Sequence, residues 1–274
     1  MSGFIEMMTA PVAVSLILVA MHGYLGSHVV KRGVIFVDIA LAQVAAFGVA
    51  LSLFFGADVG TDRAFAVGLG STLIGALLLS RTRTRDTRIP QEAYIGIVYA
   101  VFSAAMILVL TQVPHGVEET RHLLVGAILW VTWPVILKTG VLYAVLGGLL
   151  LLWHRPLTRI SEDPAAAQRE GVKLRLWDFV FYMILGTVVT SSVQIAGVLL
   201  VFTLLVVPTV MSMRLFHRSR YQLLYVLGVG TMAVVVGSAA SYVLDLPTGA
   251  AIVCTFGLFL GIQVIAETLV RRPA

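Results

Sequence analysis

Long apolar runs recur along the whole chain, and no other feature constrains the fold as strongly. Examples lie at 65–80, 95–110, 141–153, 198–207 and 250–260. Extended by their flanks, several reach the roughly 20 residues that a helix needs to cross about 30 Å of hydrocarbon. The runs are apolar on every face, whereas the strands of a membrane barrel alternate in polarity. With 59% hydrophobic and 12% charged residues, the chain is predicted to be an all-α, polytopic membrane helix bundle.

Basic residues give this bundle an orientation. Lys and Arg concentrate in five segments, at 31–32, 81–88, 155–175, 214–220 and 271–272. The positive-inside rule places these segments in the cytoplasm, the N-terminus outside and the C-terminus inside, and we expect the membrane to be a bacterial plasma membrane. The arginines of 81–88 could form a nucleic-acid or phospholipid patch, but they are interpreted as a topological signal, so no nucleic-acid partner is expected.

This topology gives about eight or nine spans. We expect helices near 10–30, 33–55, 62–80, 92–112, 177–193, 195–213, 221–243 and 248–269, with one net crossing within 122–153. The segment 122–153 is too long for one straight span and is divided by Trp133 and Pro134, so 122–133 is predicted to be a re-entrant or tilted half-helix. The count is eight if 177–213 forms one long broken helix.

The largest polar insertion is the loop 154–176, which contains the signals of one short helix. Asp163 is predicted to be its N-cap, Pro164 occupies the first helical position, and Gly171 can end the helix after good helix formers that include Ala167 and Glu170. Composition leaves two interpretations of this loop. It is a docking element on the cytoplasmic side, or it is a solvated connection between spans.

Asp38 and Gln43 are polar residues in the otherwise apolar segment VDIALAQVAAFG at 37–48. A carboxylate at the centre of a span costs about 2.5–3.5 kcal/mol on insertion scales. Gln43 lies about ten residues, or about 15 Å, into the predicted span, and Asp38 is about half as deep. A pathway for a polar substrate explains both residues. The alternatives are an ion pair of Asp38 with a basic residue such as Lys31 or Arg32, and a hydrogen bond from Gln43 to a neighbouring helix.

A second polar cluster lies at 114–122. His115, Glu119 and His122 offer nitrogen and oxygen ligands of the kind that bind zinc, manganese or iron. A solvated outer loop whose acidic residues balance Arg121 is the competing interpretation. Glu92, at the inner start of the fourth span, is a third candidate, although a glutamate in the first turn also complements the helix dipole.

Several signatures of enzymes do not occur in the sequence. None of the three lysines lies in a GxxxxGK[ST] pattern, and the chain has neither a GxSxG nor an HExxH motif. We therefore expect a protein that is not itself an enzyme. If ATP drives transport, a partner chain is expected to hydrolyse it.

Three stretches together resemble one family. They are SEDP at 161–164 with Ala167 and Gly171, IAGVLLVFTLLVVPTV at 195–210, and SYVLDLPTG at 241–249. They are similar to motifs of the ABC-transporter permeases that import zinc, manganese or iron. The resemblance covers nearly the whole chain in one order, so 1–274 is expected to form a single transmembrane permease domain with a cytoplasmic coupling loop at 154–176.

The resemblance implies a function and a set of partners. The chain would be the permease of an ATP-driven importer of divalent metal ions, dimeric around a central pathway, with a separate ATP-binding subunit and an external metal-binding protein. The metal would be a transported substrate, with no permanently bound cofactor. Asp38 or Glu92 would attract the ion, and Gln43 would offer a neutral oxygen. The residues that would dock on the ATPase are Asp163, Pro164, Ala167, Glu170 and Gly171.

The second span departs from the family's pattern. In such permeases an aspartate and a histidine lie four residues apart on one helical face. Here Gln43 stands at the histidine position and Ile39 at the aspartate position, with Asp38 displaced by one residue. Asp38 and Gln43 are separated by about 140° around an ideal helix, so they cannot both face one ion without distortion. An amide oxygen also suits zinc less well than an imidazole does.

Two other functions stay open. One is a permease for a metal chelate, which needs a wider cavity and no direct ligands. The other is an ATP-independent secondary transporter that uses Asp38 and Glu92 as proton carriers.

Overall fold

The computed structural model describes residues 2–58, 60–82, 90–113, 126 and 128–270. This part of the chain contains ten α-helices, and no strand occurs in it. The helices are α1 Ser2–Lys31, α2 Val37–Phe54, α3 Asp62–Thr82, α4 Gln91–Leu110, α5 Trp133–Leu152, α6 His154–Glu162, α7 Pro164–Arg169, α8 Leu174–Leu215, α9 Ser219–Leu244 and α10 Thr248–Val270. All of them except α6 and α7 are long and apolar enough to cross a membrane, which gives eight candidate spans among the described residues. The predicted all-α membrane bundle is confirmed.

Helix α8 is a long broken helix, which the sequence analysis gave as the alternative to two separate helices in 177–213. Its 42 residues correspond to about 63 Å of helix, roughly twice the thickness of the hydrocarbon. Gly197 interrupts it with φ 76° and ψ 161°, a backbone conformation that suits only glycine. The segments 174–196 and 198–215 on either side are each long enough to cross the bilayer. One merged helix and two crossings are therefore compatible descriptions of this region.

The predicted half-helix at 122–133 differs from the structure where the two can be compared. Residues 128–130 form a single 3₁₀ turn, Val131 and Thr132 are not helical, and α5 begins at Trp133. Pro134 explains this start, because proline fits the first turn of a helix, where its missing N–H is not needed. Residues 122–125 lie outside the described part of the chain.

The loop 154–176 contains two helices, of which the sequence predicted one. The predicted helix is α7, and Asp163 caps it as expected, since its Oδ1 accepts the N–H of Ala166 at 2.8 Å. Helix α6 was missed. It follows α5 after Trp153 alone and buries Leu157, Ile160 and Ser161, which recur at the spacing of one helical face. The flanking residues are basic and polar, so this short apolar face gives only a weak signal in the sequence.

The chain forms two compact units, each assembled from segments that are distant in sequence. The first contains Met1–Ser27, Ala127–Gly140 and Leu199–Ala274. In this unit α9 packs on α10, and the hydroxyls of Ser241 and Thr248 lie 2.9 Å apart. The second contains His28–Gly126 and Val141–Val198, and in it α2 packs on both α3 and α4. The expectation of a single permease domain over 1–274 stays a prediction.

Within the second unit, Gly126 packs against the break in α8. A Cβ atom added to Gly126 would lie 2.2 Å from the carbonyl carbon of Ala196 and 2.4 Å from the backbone nitrogen of Gly197. Gly126 also has a φ of +76°. The close approach and the backbone conformation both require glycine at this position.

We therefore expect Gly126→Ala to lower the free energy of unfolding by about 1–3 kcal/mol, since both the positive φ and the backbone contact penalise a side chain. Gly70→Ala is the control, because Gly70 is helical and an added Cβ meets no atom within 4 Å. It should be neutral or slightly stabilising. Unfolding of the purified protein in detergent titrated with dodecyl sulfate measures both changes. Equal stabilities of the two variants would contradict the close contact.

Candidate functional site

Helix α2 carries the two polar residues that the sequence analysis singled out. It is the second helix of the chain, it packs on α3 and α4, and 78% of its span is buried. Eight of its 18 residues are alanine or valine. Small side chains let adjacent helices approach closely where the membrane supplies no water. Polar groups on the buried faces of α2 are therefore held inside protein rather than in contact with solvent.

Asp38 is 1% exposed and Gln43 is 3% exposed. Neither carboxylate oxygen of Asp38 makes a hydrogen bond to a described residue, and the same is true of the side-chain oxygen of Gln43. Buried polar atoms are nearly always paired, because desolvation without a partner costs several kcal/mol. Three unpaired oxygens on one helix therefore call for an explanation other than packing.

The two side chains do not converge on one point of α2. They are separated by five residues of a regular helix, or about 140°. Ile39, four residues before Gln43, shares the face of Gln43 and is partly exposed. The angular separation predicted from the sequence is thus found in the structure, and Asp38 and Gln43 lie on different faces of α2.

Glu92 has a defined structural contact. Its Oε1 accepts the backbone N–H of Ile35 at 2.9 Å, which joins the first turn of α4 to the turn that precedes α2. This bond brings the Glu92 carboxylate to the end of α2 at which Asp38 lies. It also means that one of the Glu92 oxygens already satisfies a backbone donor.

Among the described residues, no group of three or more His, Cys, Asp or Glu side chains is arranged to hold a metal ion. His115, Glu119 and His122 lie outside the described part of the chain, so their predicted role stays a prediction. Within the described ranges, the structure places Asp38 and Glu92 at one end of α2 and Gln43 further along the helix.

A buried ion pair that the sequence analysis missed lies beside this region. Arg32 Nη1 donates to Asp178 Oδ1 at 2.7 Å, and the two side chains are 2% and 0% exposed. Arg32 also lies over the ring of Phe181, at 4.1 Å from its centroid. The suggested pairing of Arg32 with Asp38 is therefore wrong, because the guanidinium is engaged by Asp178 at the start of α8.

The same arginine reaches the loop 154–176. Arg32 Nε donates to the hydroxyl oxygen of Ser161 at 2.9 Å, and a ring nitrogen of His28 lies 2.9 Å from that oxygen. Ser161 in turn donates to the carbonyl of Leu157 within α6. The end of α1, helix α6 and the start of α8 are thus tied together by one buried polar network. Its signal in the sequence was Asp178, the single acid in the apolar start of α8.

The residues predicted to contact an ATPase belong to one compact element made of α6 and α7. Ala167 is fully buried, and its carbonyl accepts the N–H of Val172 at 3.0 Å. The intervening turn contains Gly171, which has a φ of +83°. Glu170 accepts a hydrogen bond from Arg159 Nε at 3.0 Å, which links α7 to α6. The hydrogen bond from Arg159 lowers the pKa of Glu170, so this exposed pair is ionised near neutral pH.

These features define a polytopic membrane protein with unpaired oxygen groups inside one span and a folded polar element between spans. Residues 4–266 match the ABC 3 transport family, and the chain belongs to that family. It is a membrane permease subunit of an ABC transport system, as the resemblance of its motifs predicted.

Relatives with named functions include two manganese permeases. The chain is 25% identical over 231 residues to the manganese transport system membrane protein MntC of Listeria monocytogenes, covering 84% of this chain and 80% of the relative. It is 27% identical over 241 residues to the manganese import system permease protein ScaB of Streptococcus parasanguinis, covering 86% and 82%. The fold is similar to that of PsaBC from Streptococcus pneumoniae in complex with Fab, with a TM-score of 0.80, 21% identity, and 96% and 94% of the two chains covered.

The ion pair at the start of α8 yields a stability prediction. We expect Asp178→Asn to lower the free energy of unfolding by about 3–5 kcal/mol, because it removes the carboxylate that compensates a buried guanidinium. Glu162→Gln is the control, since its pair with Lys31 spans 3.9 Å and the Glu162 side chain is 52% exposed. That change should cost less than about 1 kcal/mol. Dodecyl sulfate titration compares the two, and similar losses would contradict the ranking.

Proposed function

We propose that the chain is the permease of an importer that carries divalent manganese across a bacterial plasma membrane. A separate ATP-binding subunit would power it, and an external binding protein would deliver the ion. Relatives named as manganese transport proteins, matched over about four fifths of their length, support this substrate.

The observation that carries the proposal is the set of unpaired oxygens on α2. Asp38 and Gln43 offer carboxylate and amide oxygens inside an apolar span, without hydrogen-bond partners among the described residues. Carboxylate and carbonyl oxygens suit manganese, whereas thiolate and imidazole ligands favour zinc. A passing cation would be the positively charged partner that these oxygens lack among the described residues.

One chain offers few such ligands, and this bears on the assembly. Asp38 and Gln43 occur once per chain and face different sides of α2. Two copies around a shared axis would double the number of oxygens along a central pathway, which supports a homodimeric permease. A site with few simultaneous ligands also releases its ion readily, as transport requires.

The element formed by α6 and α7 supports coupling to ATP hydrolysis. The positive-inside rule assigns its basic residues to the cytoplasm, together with the C-terminus, and leaves the N-terminus outside. The Ser161 hydroxyl connects the element to Arg32 and thereby to the Asp178 carboxylate of α8. Closure of the ATPase subunits would displace the element, and the buried network would pass that displacement to the spans as the pathway alternates its access.

Uptake of radioactive ions into sealed vesicles tests the substrate. With the permease and its ATPase reconstituted, we expect ATP-dependent accumulation of manganese in preference to zinc, iron and cobalt. Gln43→His should shift the preference toward zinc, because an imidazole nitrogen replaces an amide oxygen. Accumulation without ATP would indicate a secondary transporter. Absence of uptake for every free ion would instead favour a metal chelate as the cargo.

The role of Asp38 is tested by comparing stability with uptake. Asp38→Asn should leave the free energy of unfolding equal or higher, since it removes an unpaired buried carboxylate. Manganese uptake should nevertheless fall by about tenfold or more, because the charge that attracts the ion is lost. Asp58→Asn is the control, since Asp58 is exposed outside the helices. Unchanged uptake by Asp38→Asn would remove Asp38 from the pathway.

A further inference from the structure

A cavity in the second unit has no part in the proposed ion pathway. It lies between the last turns of α3 and the first turns of α8, is open to the outside, and has a volume of about 410 Å³, within the size range of small-molecule sites. Its lining comes from two helices: Leu77, Ser80 and Arg81 of α3, and Arg175, Leu176 and Phe179 of α8.

Two guanidinium groups dominate the charge of this cavity. Arg81 and Arg175 belong to different helices, both are exposed, and neither forms an ion pair with a described residue. Another exposed arginine of the second unit, Arg159, is instead neutralised by Glu170. The cavity therefore carries a charge of +2 that its lining does not balance.

The remaining lining is largely apolar. Leu77 and Phe179 lie one helical turn from Arg81 and Arg175, and Leu176 is 52% exposed beside them. Ser80 is 3% exposed, and its hydroxyl already donates to the carbonyl of Leu77. The backbone N–H groups of Leu176 and Trp177 both donate to the carbonyl of Lys173. Anion binding here would thus depend on the two arginines rather than on backbone groups.

We infer that this cavity binds the headgroup of an anionic phospholipid. Arginine pairs with phosphate oxygens through two parallel hydrogen bonds, and guanidiniums from two helices can hold one phosphodiester between them. Basic pockets between spans at the cytoplasmic surface are sites of this kind. A soluble phosphate offers the same anionic chemistry but has no apolar part to cover Leu77, Leu176 and Phe179. The apolar wall therefore selects the lipid.

Lipid bound at this position would act on the start of α8. Arg175 lies three residues before Asp178, the partner of Arg32 in the buried network. A headgroup that bridges Arg81 and Arg175 would fix the end of α3 against the first turn of α8. The lipid would thereby stabilise the segment that connects α7 to the spans.

Titration of the purified full-length chain in dodecyl maltoside, followed by native mass spectrometry, tests the inference. The probes are short-chain phosphatidylglycerol, phosphatidylcholine of the same chain length, and sodium phosphate at matched ionic strength. We expect phosphatidylglycerol to bind about tenfold or more tightly than phosphatidylcholine, and the doubly substituted Arg81→Gln, Arg175→Gln protein to lose about tenfold or more of that affinity.

A control protein with two substitutions removes the same number of charges away from the cavity. Arg155→Gln with Arg218→Gln neutralises two exposed arginines that do not line the cavity, and it should leave phosphatidylglycerol affinity within about twofold of the parent. Arg175→Lys keeps the charge but loses the paired hydrogen bonds, so it should give an intermediate loss of phosphatidylglycerol affinity. This single variant still tests the inference if the double variant is unstable.

Three results would overturn the inference. Equal binding of the two lipids would show that the cavity does not recognise the anionic headgroup. An equal loss in the matched control would assign the effect to net charge alone. Binding of sodium phosphate as tight as that of phosphatidylglycerol would make the cavity a site for soluble anions.

Discussion

The hydrocarbon of the bilayer offers no hydrogen-bond partners, and the rest of this structure follows from that constraint. Each span must satisfy its own backbone groups, so the chain crosses as helices and departs from them only where protein covers the departure. The break in α8 at Gly197 illustrates this. Its backbone is packed directly against Gly126, so close that no side chain fits between them. The irregular backbone is thus covered by protein.

The same constraint separates polar side chains into two groups. Some are compensated, as Arg32 is by Asp178, or as Thr72 of α3 is by Thr190 of α8, whose hydroxyls lie 2.9 Å apart in a buried contact. These pairs join helices. Asp38 and Gln43 are equally buried, yet their oxygens have no partner among the described residues. In the described part of the chain, it is the lack of a partner rather than burial alone that supports the role proposed for Asp38 and Gln43.

Local signals in the sequence predicted much of the fold. The apolar runs indicated the spans, and the Asp163-Pro164 pair located the start of α7, because caps and hydrophobic length act over a few residues. Partners distant in sequence were not predictable in this way. Arg32 and Asp178 are 146 positions apart, so the sequence offered Arg32 only as one of several possible partners of the nearer Asp38. The bond from Ile35 to Glu92 was missed for the same reason, since only the packing of α2 on α4 brings them together.

The departure of α2 from the family's pattern has a physical consequence for the pathway. Ile39 and Gln43 share the face on which that pattern places an acid and a histidine, so this face has lost both its negative charge and its imidazole. Asp38 restores the charge, but one residue earlier and therefore about 100° around the helix. In the proposed pathway, the attraction for a cation would be kept while the direct ligands on this face would be reduced to neutral oxygen. Such a face would hold a hard, oxygen-preferring ion weakly, and weak binding would favour release in a carrier that must empty at each cycle.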